Sequence, residues 1–391
     1  MTFDIIKELA AQKEAEIIEY RHHLHKHPEA SHDEYKTTAY IAEKLDAWHV
    51  PYEINEGGTG LIAELTGAEP GMTIAFRADI DALVMQEQND LPFRSVNDGV
   101  MHACGHDAHT AILLGMVHVF AEHREFIKGK IKFVFQQSEE ASPSGAKQIM
   151  DSGKLDDVDR IYALHVRAML DAGIIGVSHG PAYANTDRFK ITITGKGGHG
   201  AKPFECNDPI IMAAQAINAM QTIISRQIDA QEAGVLSICT IHAGTVHNVI
   251  PATVTMEGTA RTYLKSVQDT IENGMRKVLD GITTMYGGSY TLEYNREIPA
   301  LTSDDTEVER AARVIKGLGT CKQEYLLPIM GGEDFSFFTE KIPGAYMILG
   351  AKDPNRPGTP HHNPSFMIRE EVFRYGLEAM LGLYFDVTEQ L

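Results

Sequence analysis

Positive charge is what this chain has least of. Its 391 residues carry 35 lysines and arginines against 54 aspartates and glutamates, a formal net charge of −19 with histidine neutral. Nucleic acids are bound through basic surfaces, so the deficit argues against a nucleic-acid partner. Cysteine is scarce as well. Cys104, Cys206, Cys239 and Cys321 are scattered without a pairing pattern, which fits free thiols in a reducing cytoplasm better than a disulfide framework. Long apolar runs are missing: none approaches the roughly 20 residues of a membrane span. The opening stretch, Met1 to Ala10, is charged and amphipathic, unlike a secretory signal. A cytoplasmic protein with no membrane partner is therefore expected. Internal repeats and low-complexity linkers are also lacking. The remaining composition, 43% hydrophobic and 23% charged, is ordinary for a globular chain, and the length calls for two or three domains.

Metal-ligand chemistry, by contrast, is concentrated in one window. His102-Ala-Cys-Gly-His-Asp-Ala-His109 offers one thiol, three imidazoles and a carboxylate. Cys104 and His106 are too close in sequence to form a zinc-finger knuckle. They fit one shared divalent ion, or two adjacent ions bridged by the thiolate. A lone cysteine or histidine is more often a buried thiol or a solvated ring; the density of this window reverses that balance. The histidines at 22, 23, 25 and 27 are different. They crowd the end of a helix, where cations are favoured, and read as structural or solvent-facing.

Along the chain, apolar periodicity predicts helices over residues 3–24, 34–48 and 110–122. Short strands are expected at 52–55, 61–66 and 73–78, the last ending in Arg77-Ala-Asp79-Ile-Asp81. Acidic residues just past a buried strand stand where open α/β sheets keep their sites, and Asp79 is suited to orienting a ligating imidazole. Strand 131–135 runs into Gln136-Gln-Ser-Glu139-Glu140. Adjacent carboxylates on extended backbone point apart. One can hold a metal while its neighbour addresses a water, the division of labour that metal-assisted hydrolysis requires. A further strand, 161–166, carries His165.

From residue 187 the order becomes β-α-β-β-α-β, with strands at 188–194, 235–243, 253–262 and 289–294 and helices at 209–226 and 267–285. That is a split-βαβ order. It implies a small domain, 187–295, inserted into a discontinuous larger one, 1–186 and 296–391. His199 lies in its glycine-rich loop. The chain then returns through a helix at 306–316, a strand at 345–349, Pro360-His361-His362-Asn-Pro364 and a helix at 370–385. Either histidine of that loop can complete a site begun far away in sequence.

Taken together, Arg77 to Ala82, the His102 window, Gln137-Ser-Glu-Glu140, Gly197-Gly-His-Gly-Ala201, His247-Asn-Val-Ile-Pro251 and His362-Asn-Pro364 resemble the aminoacylase/carboxypeptidase family of co-catalytic metallohydrolases. More narrowly they resemble its amidohydrolase branch, with hippurate hydrolase, N-acetyl-diaminopimelate deacetylase and the indoleacetyl-amino-acid hydrolases. The resemblance covers essentially the whole chain. It implies an α/β, zinc-peptidase-like catalytic domain with a mixed central sheet flanked by helices, plus an inserted ferredoxin-like lid and dimerisation domain. It implies metal ligands at Cys104, His106, Glu140, His165 and His362, with Cys104 bridging and His362 preferred over His361 for its distance to Pro364. Glu139 would be the general base that activates the attacking water. His199 would steady the substrate carbonyl oxygen, and Asn248 and Arg261 would hold the substrate carboxylate. Two divalent ions per subunit follow. Thiolate favours zinc, while carboxylate and imidazole also suit manganese, cobalt or nickel. The expected substrate is a small molecule or peptide with a free α-carboxylate. N-acyl amino acids come first, a dipeptidase or carboxypeptidase activity is the alternative, and a non-catalytic binding module is a remoter third. A homodimer is expected, and a tetramer is compatible.

Overall fold

The computed structural model describes residues 1–354 and 358–391. They fall into two compact units: Met1–Ala182 with Thr302–Leu327 and Asp334–Leu391, and Tyr183–Leu301 with Pro328–Glu333.

The larger unit is mixed α/β, built on one eight-stranded sheet. Its strands run Tyr52–Ile54, Leu61–Thr66, Lys128–Gln136, Glu69–Asp79, Arg160–Asp171, Gly344–Lys352, Ile174–Val177 and Lys322–Tyr325 across the sheet. The central four are mutually parallel. They read as nearly continuous apolar runs because both faces are covered. On one face-covering layer Phe3–Lys26, His106–Glu122 and Phe373–Val387 pack together, and Phe120 meets the Tyr384 ring edge-on at 4.7 Å.

Register decides what the sheet presents. Arg77 lies opposite Val134 on one side and Ala163 on the other. Two residues further on, Asp79, at the carboxyl end of its strand, where α/β sheets place ligand sites, stands level with His165, midway along Arg160–Asp171. Helix His106–Glu122 begins four residues before its apolar periodicity, inside the metal-ligand window. Gly105 makes this start, with φ of 94°. A Cβ there would lie 2.3 Å from Val166 Cγ2, so only glycine fits both the backbone and the space. His106 and His109 thus ride on the first turn. Strands Ile174–Val177 and Lys322–Tyr325 were not expected; they are short, and the second is polar.

The smaller unit has a four-stranded antiparallel sheet in the order Gly234–Ala243, Thr253–Thr262, Asn185–Thr194, Ser289–Ile298. This is the ferredoxin-like arrangement. Phe189, Ile191 and Ile193 alternate inward onto Met212, Met220, Ile271 and Met275 of helices Pro209–Gln227 and Lys265–Tyr286. Strand Gly234–Ala243 forms one edge of the sheet. No helix among the described residues is long and apolar enough to cross a membrane.

Candidate metal centre

In the larger unit, the strand ends, the start of helix His106–Glu122 and the His362 loop bring five donors and Glu139 into one cluster. Donor atoms of Cys104, His106 and His165 lie within 4.8 Å of one another, as do those of Cys104, Glu140 and His362, and those of His106, Glu139 and Glu140. Cys104 Sγ is 3.5 Å from His165 Nε2. Glu140 Oε1 is 3.0 Å from His362 Nε2. His106 Nε2 is 4.0 Å from a carboxylate oxygen of each of Glu139 and Glu140.

Hydrogen bonds on the far side of each ring settle which nitrogen faces the cluster. His106 Nδ1 donates to the Asp81 carbonyl at 2.9 Å, with Asp81 Oδ1 at 3.1 Å. Its Nε2 is left buried with no hydrogen-bond partner among the described residues. His165 Nδ1 donates to the Val166 carbonyl at 2.6 Å, which turns Nε2 toward Cys104. His109 is spent at both ends: Nδ1 donates to Asp79 Oδ1 at 2.6 Å, and Nε2 accepts the Val166 N–H at 2.9 Å. It braces the helix start against the strand and has no nitrogen left for a metal. His361 is spent likewise, donating to the Cys104 carbonyl at 3.1 Å and accepting from Ala168 N–H at 3.3 Å. His362, held at a left-handed φ of 59° with its N–H on the Ala103 carbonyl, is the one of the pair that meets Glu140.

This donor set fits divalent cations. Burial disfavours a charged His106, yet Asp79 and Asp81 outweigh it and raise the ring to about 10. Burial, then Glu140 and Glu139, push the Cys104 thiol well up. A buried site that attracts a proton to an imidazole and resists a thiolate is a well of negative potential without its cation. A divalent ion would take the proton's place on His106 and deprotonate the thiol.

Behind the donors, Arg77 is buried and fully engaged. It donates to Asp79 Oδ2, Gln136 Oε1 and Asp334 Oδ1, each at 2.7 Å. Asp334 also accepts from Gln136 Nε2 at 2.8 Å and Ser144 Oγ at 2.6 Å. Burial opposes ionisation of Asp79, but His106, Arg77 and His109 hold its carboxyl well below the usual range. Asp79 comes within 3.6 Å of His106 Nε2, while the direct bonds to an expected ligand belong to Asp81. Asp81 grips His106 through Oδ1 and accepts the Glu140 N–H at 3.0 Å through Oδ2. Sequence reasoning quoted Asp81 and His109 within their motifs and matched Asp334 to a family loop near the site, but gave none of the three a role. The Asp-x-Asp spacing after a buried strand was the signal available for the first.

Of the N-terminal histidines, His25 is buried in an ion network: Nδ1 is 2.8 Å from Asp107 and Nε2 3.1 Å from Glu87, with Arg21 also on Asp107 at 2.8 Å. His22 stacks on Phe93 and His23 on Tyr40.

In the smaller unit His199 and Asn248 are neighbours. Strand Gly198–His199 pairs with Val249–Ile250, and Gly200 N–H donates to the Asn248 carbonyl at 2.8 Å. Ala201 N–H donates to His199 Nδ1 at 3.0 Å, leaving Nε2–H as the outward donor on an exposed ring. Arg261 lies elsewhere on the sheet, opposite Thr186 and Val235. It is half-buried, and its Nη1 has no hydrogen-bond partner among the described residues.

The sequence profile described as peptidase family M20/M25/M40 matches residues 75–385. The chain is 40% identical to an N-acetylcysteine deacetylase of Bacillus subtilis (strain 168), over 96% of this chain and 97% of that one. It is 36% identical to thermostable carboxypeptidase 1 of Saccharolobus solfataricus, over 95% of each. The crystal structure of a Bacillus subtilis dinuclear metal-binding peptidase from family M20 superposes with a TM-score of 0.86 at 36% identity, covering 97% of this chain and all of that one.

Proposed function

The chain belongs to peptidase family M20/M25/M40 and is a hydrolase of amide or peptide bonds, and from that premise we propose that it deacylates N-acyl amino acids, with Glu139 as general base. Cys104, His106, Glu140, His165 and His362 would hold two divalent ions; zinc or manganese suits the donors best, and cobalt and nickel also fit. The observation that carries this is the buried, partnerless Nε2 of His106, aimed into a cluster of one thiol, two further imidazoles and two carboxylates. When bound, the ions supply Lewis acidity to the scissile carbonyl and the attacking water.

The chain's own residues do the rest. Glu139 takes a proton from the water as its oxygen adds to the acyl carbon. As the C–N bond breaks, Glu139 returns that proton to the amine nitrogen, so the products are an acid and a free amino acid. His199 Nε2–H donates to the carbonyl oxygen as it gains charge. Arg261, whose Nη1 has no hydrogen-bond partner among the described residues, holds the α-carboxylate; Asn248, beside His199 and near the other end of strand Thr253–Thr262, would reach that carboxylate from a second copy of the chain. Asp81 keeps His106 aimed, and Asp79 braces the network behind it through His109 and Arg77. The similarity to an N-acetylcysteine deacetylase supports acyl amino acids over peptides, and the carboxypeptidase relative keeps peptides as the second reading.

The smaller unit is assigned the roles of lid and dimer contact. Its edge strand, and the exposed Ile241, Val246 and Val249, support a homodimer, measurable by light scattering. A reducing cytoplasm suits a site that needs Cys104 as a thiol, and all four cysteines are free. The test is hydrolysis of acetyl, benzoyl and peptidyl amino acids by metal-free protein reloaded with zinc or manganese. Turnover is expected to require metal, to favour acyl amino acids and to fall about 10²–10⁴-fold in Glu139→Ala. Faster cleavage of dipeptides would select the peptidase reading, and bound metal without turnover the binding module.

A further inference from the structure

Glu139 stands between two peptide units that are both pinned. On its C-terminal side, the Glu140 N–H is held by Asp81 Oδ2 at 3.0 Å. On its N-terminal side, Ser138 adopts a left-handed φ of 51°. Serine rarely does so, and such a conformation persists only where the surroundings over-determine it. Here every polar group of Ser138 is engaged. Its carbonyl accepts the Gly145 N–H at 3.1 Å, and its Oγ accepts the His32 N–H at 2.9 Å. Its N–H donates to Glu34 Oε1 at 2.8 Å, and Glu34 Oε1 also lies 3.1 Å from Ser138 Oγ.

Glu34 is fully buried just ahead of helix Tyr35–Ala47. It lies 104 residues from Ser138 in sequence. Helix and loop are thereby joined through one carboxylate oxygen. We propose that Glu34 is a positioning residue for the hydrolytic reaction: by accepting the Ser138 N–H it holds the left-handed turn that brings the Glu139 and Glu140 carboxylates together beside His106, one to serve the water and one the metal. Without that acceptor the Ser138 N–H is buried and unpaired, the turn relaxes toward the ordinary right-handed or extended regions, and Glu139 leaves its place while the metal donors keep theirs. This inference rests on Glu139 being the base.

The experiment compares Glu34→Ala and Glu34→Gln as metal-loaded full-length enzymes, reading kcat, KM and bound metal, with Glu139→Ala beside them. Glutamine keeps the Oε1 acceptor and changes only Oε2, which has no hydrogen-bond partner among the described residues. The expected result is a kcat loss of about 10–100-fold in Glu34→Ala, with KM and metal content unchanged, and restoration to within about threefold in Glu34→Gln. A Glu34→Ala kcat within about twofold of wild type, or equal losses in both variants at full metal occupancy, would overturn the proposal. Should Glu34→Ala fail to fold or to bind metal, Glu34→Asp decides, because its shorter side chain keeps the charge but withdraws the acceptor from the Ser138 N–H. Lower kcat with metal retained supports the latch, and unchanged kcat overturns it. An active Glu139→Ala would show instead that the base assignment itself had failed.

Discussion

Replacing Asp79 by asparagine tests whether the buried network behind the metal centre has the proton arrangement deduced above. The two side chains are nearly isosteric, so no cavity opens and the effect is electrostatic. Asp79 offers Oδ1 to His109 Nδ1 at 2.6 Å and Oδ2 to Arg77 Nη1 at 2.7 Å. Asparagine has one oxygen. If that oxygen faces Arg77, the amide NH2 meets His109 Nδ1, which must then give up its proton. The proton would move to Nε2, against the Val166 N–H that now donates there at 2.9 Å. If the oxygen faces His109, the NH2 opposes Arg77. Either way one buried donor meets another, and Arg77 loses an anionic partner while it keeps Asp334. An orphaned buried donor costs about 1–3 kcal/mol and a broken buried ion pair about 3–5 kcal/mol. The two penalties overlap, so about 3 kcal/mol is expected for the variant. At about 2 °C per kcal/mol for a unit of this size, the melting temperature should fall by about 6 °C. The assay is calorimetry on wild-type and Asp79→Asn proteins, both stripped of metal so that linkage to bound ions does not contribute. A variant melting within about 2 °C of wild type would refute the reasoning, because it would mean that His109 carries its proton elsewhere or that Arg77 is not paired as described.

Cys104→Ala should lose tightly bound metal, measured by elemental analysis after gel filtration; retained metal with full activity would remove the thiol from the donor set. Gly105→Ala should destabilise by about 2 kcal/mol or more, from its positive φ and the clash with Val166, and should weaken metal retention by tilting His106; denaturant melts and metal titration check both. His25 has a raised pKa: burial and Arg21 oppose the charged ring, but Asp107 and Glu87 more than offset them. Its contribution to stability is therefore fully present below the unfolded value near 6.5 and is lost as pH rises through the folded value. The stability gap between wild type and His25→Asn should narrow as pH climbs through and beyond neutrality, and a gap that widened would reverse the assignment.

Features generated locally were the legible ones. The ends of strands Glu69–Asp79 and Lys128–Gln136, with their acidic residues, could be placed because a buried parallel strand is apolar until it stops. Strand Thr253–Thr262 was bounded correctly by its alternation. The start of helix His106–Glu122 was read four residues late, since the window's polar residues mask helical periodicity and a left-handed glycine is an unusual cap. His361 and His362 could not be separated by spacing alone. What distinguishes them is that two backbone groups, at Cys104 and Ala168, use up the rings of one and not the other. Asp81, Glu34 and Asp334 act across 25 to 257 residues of chain. No local pattern encodes such partners; they exist only once the sheet has formed.

The spread of the donors along the chain also bears on synthesis. Cys104, His106, Glu140 and His165 emerge early. Gly344–Lys352, the strand that completes the central sheet beside Arg160–Asp171, and His362, the last donor, emerge only after the entire smaller unit has been made. A nascent or truncated chain can therefore present a thiol, imidazoles and a carboxylate without being able to close the centre. Hydrolytic competence waits until His362 has been made.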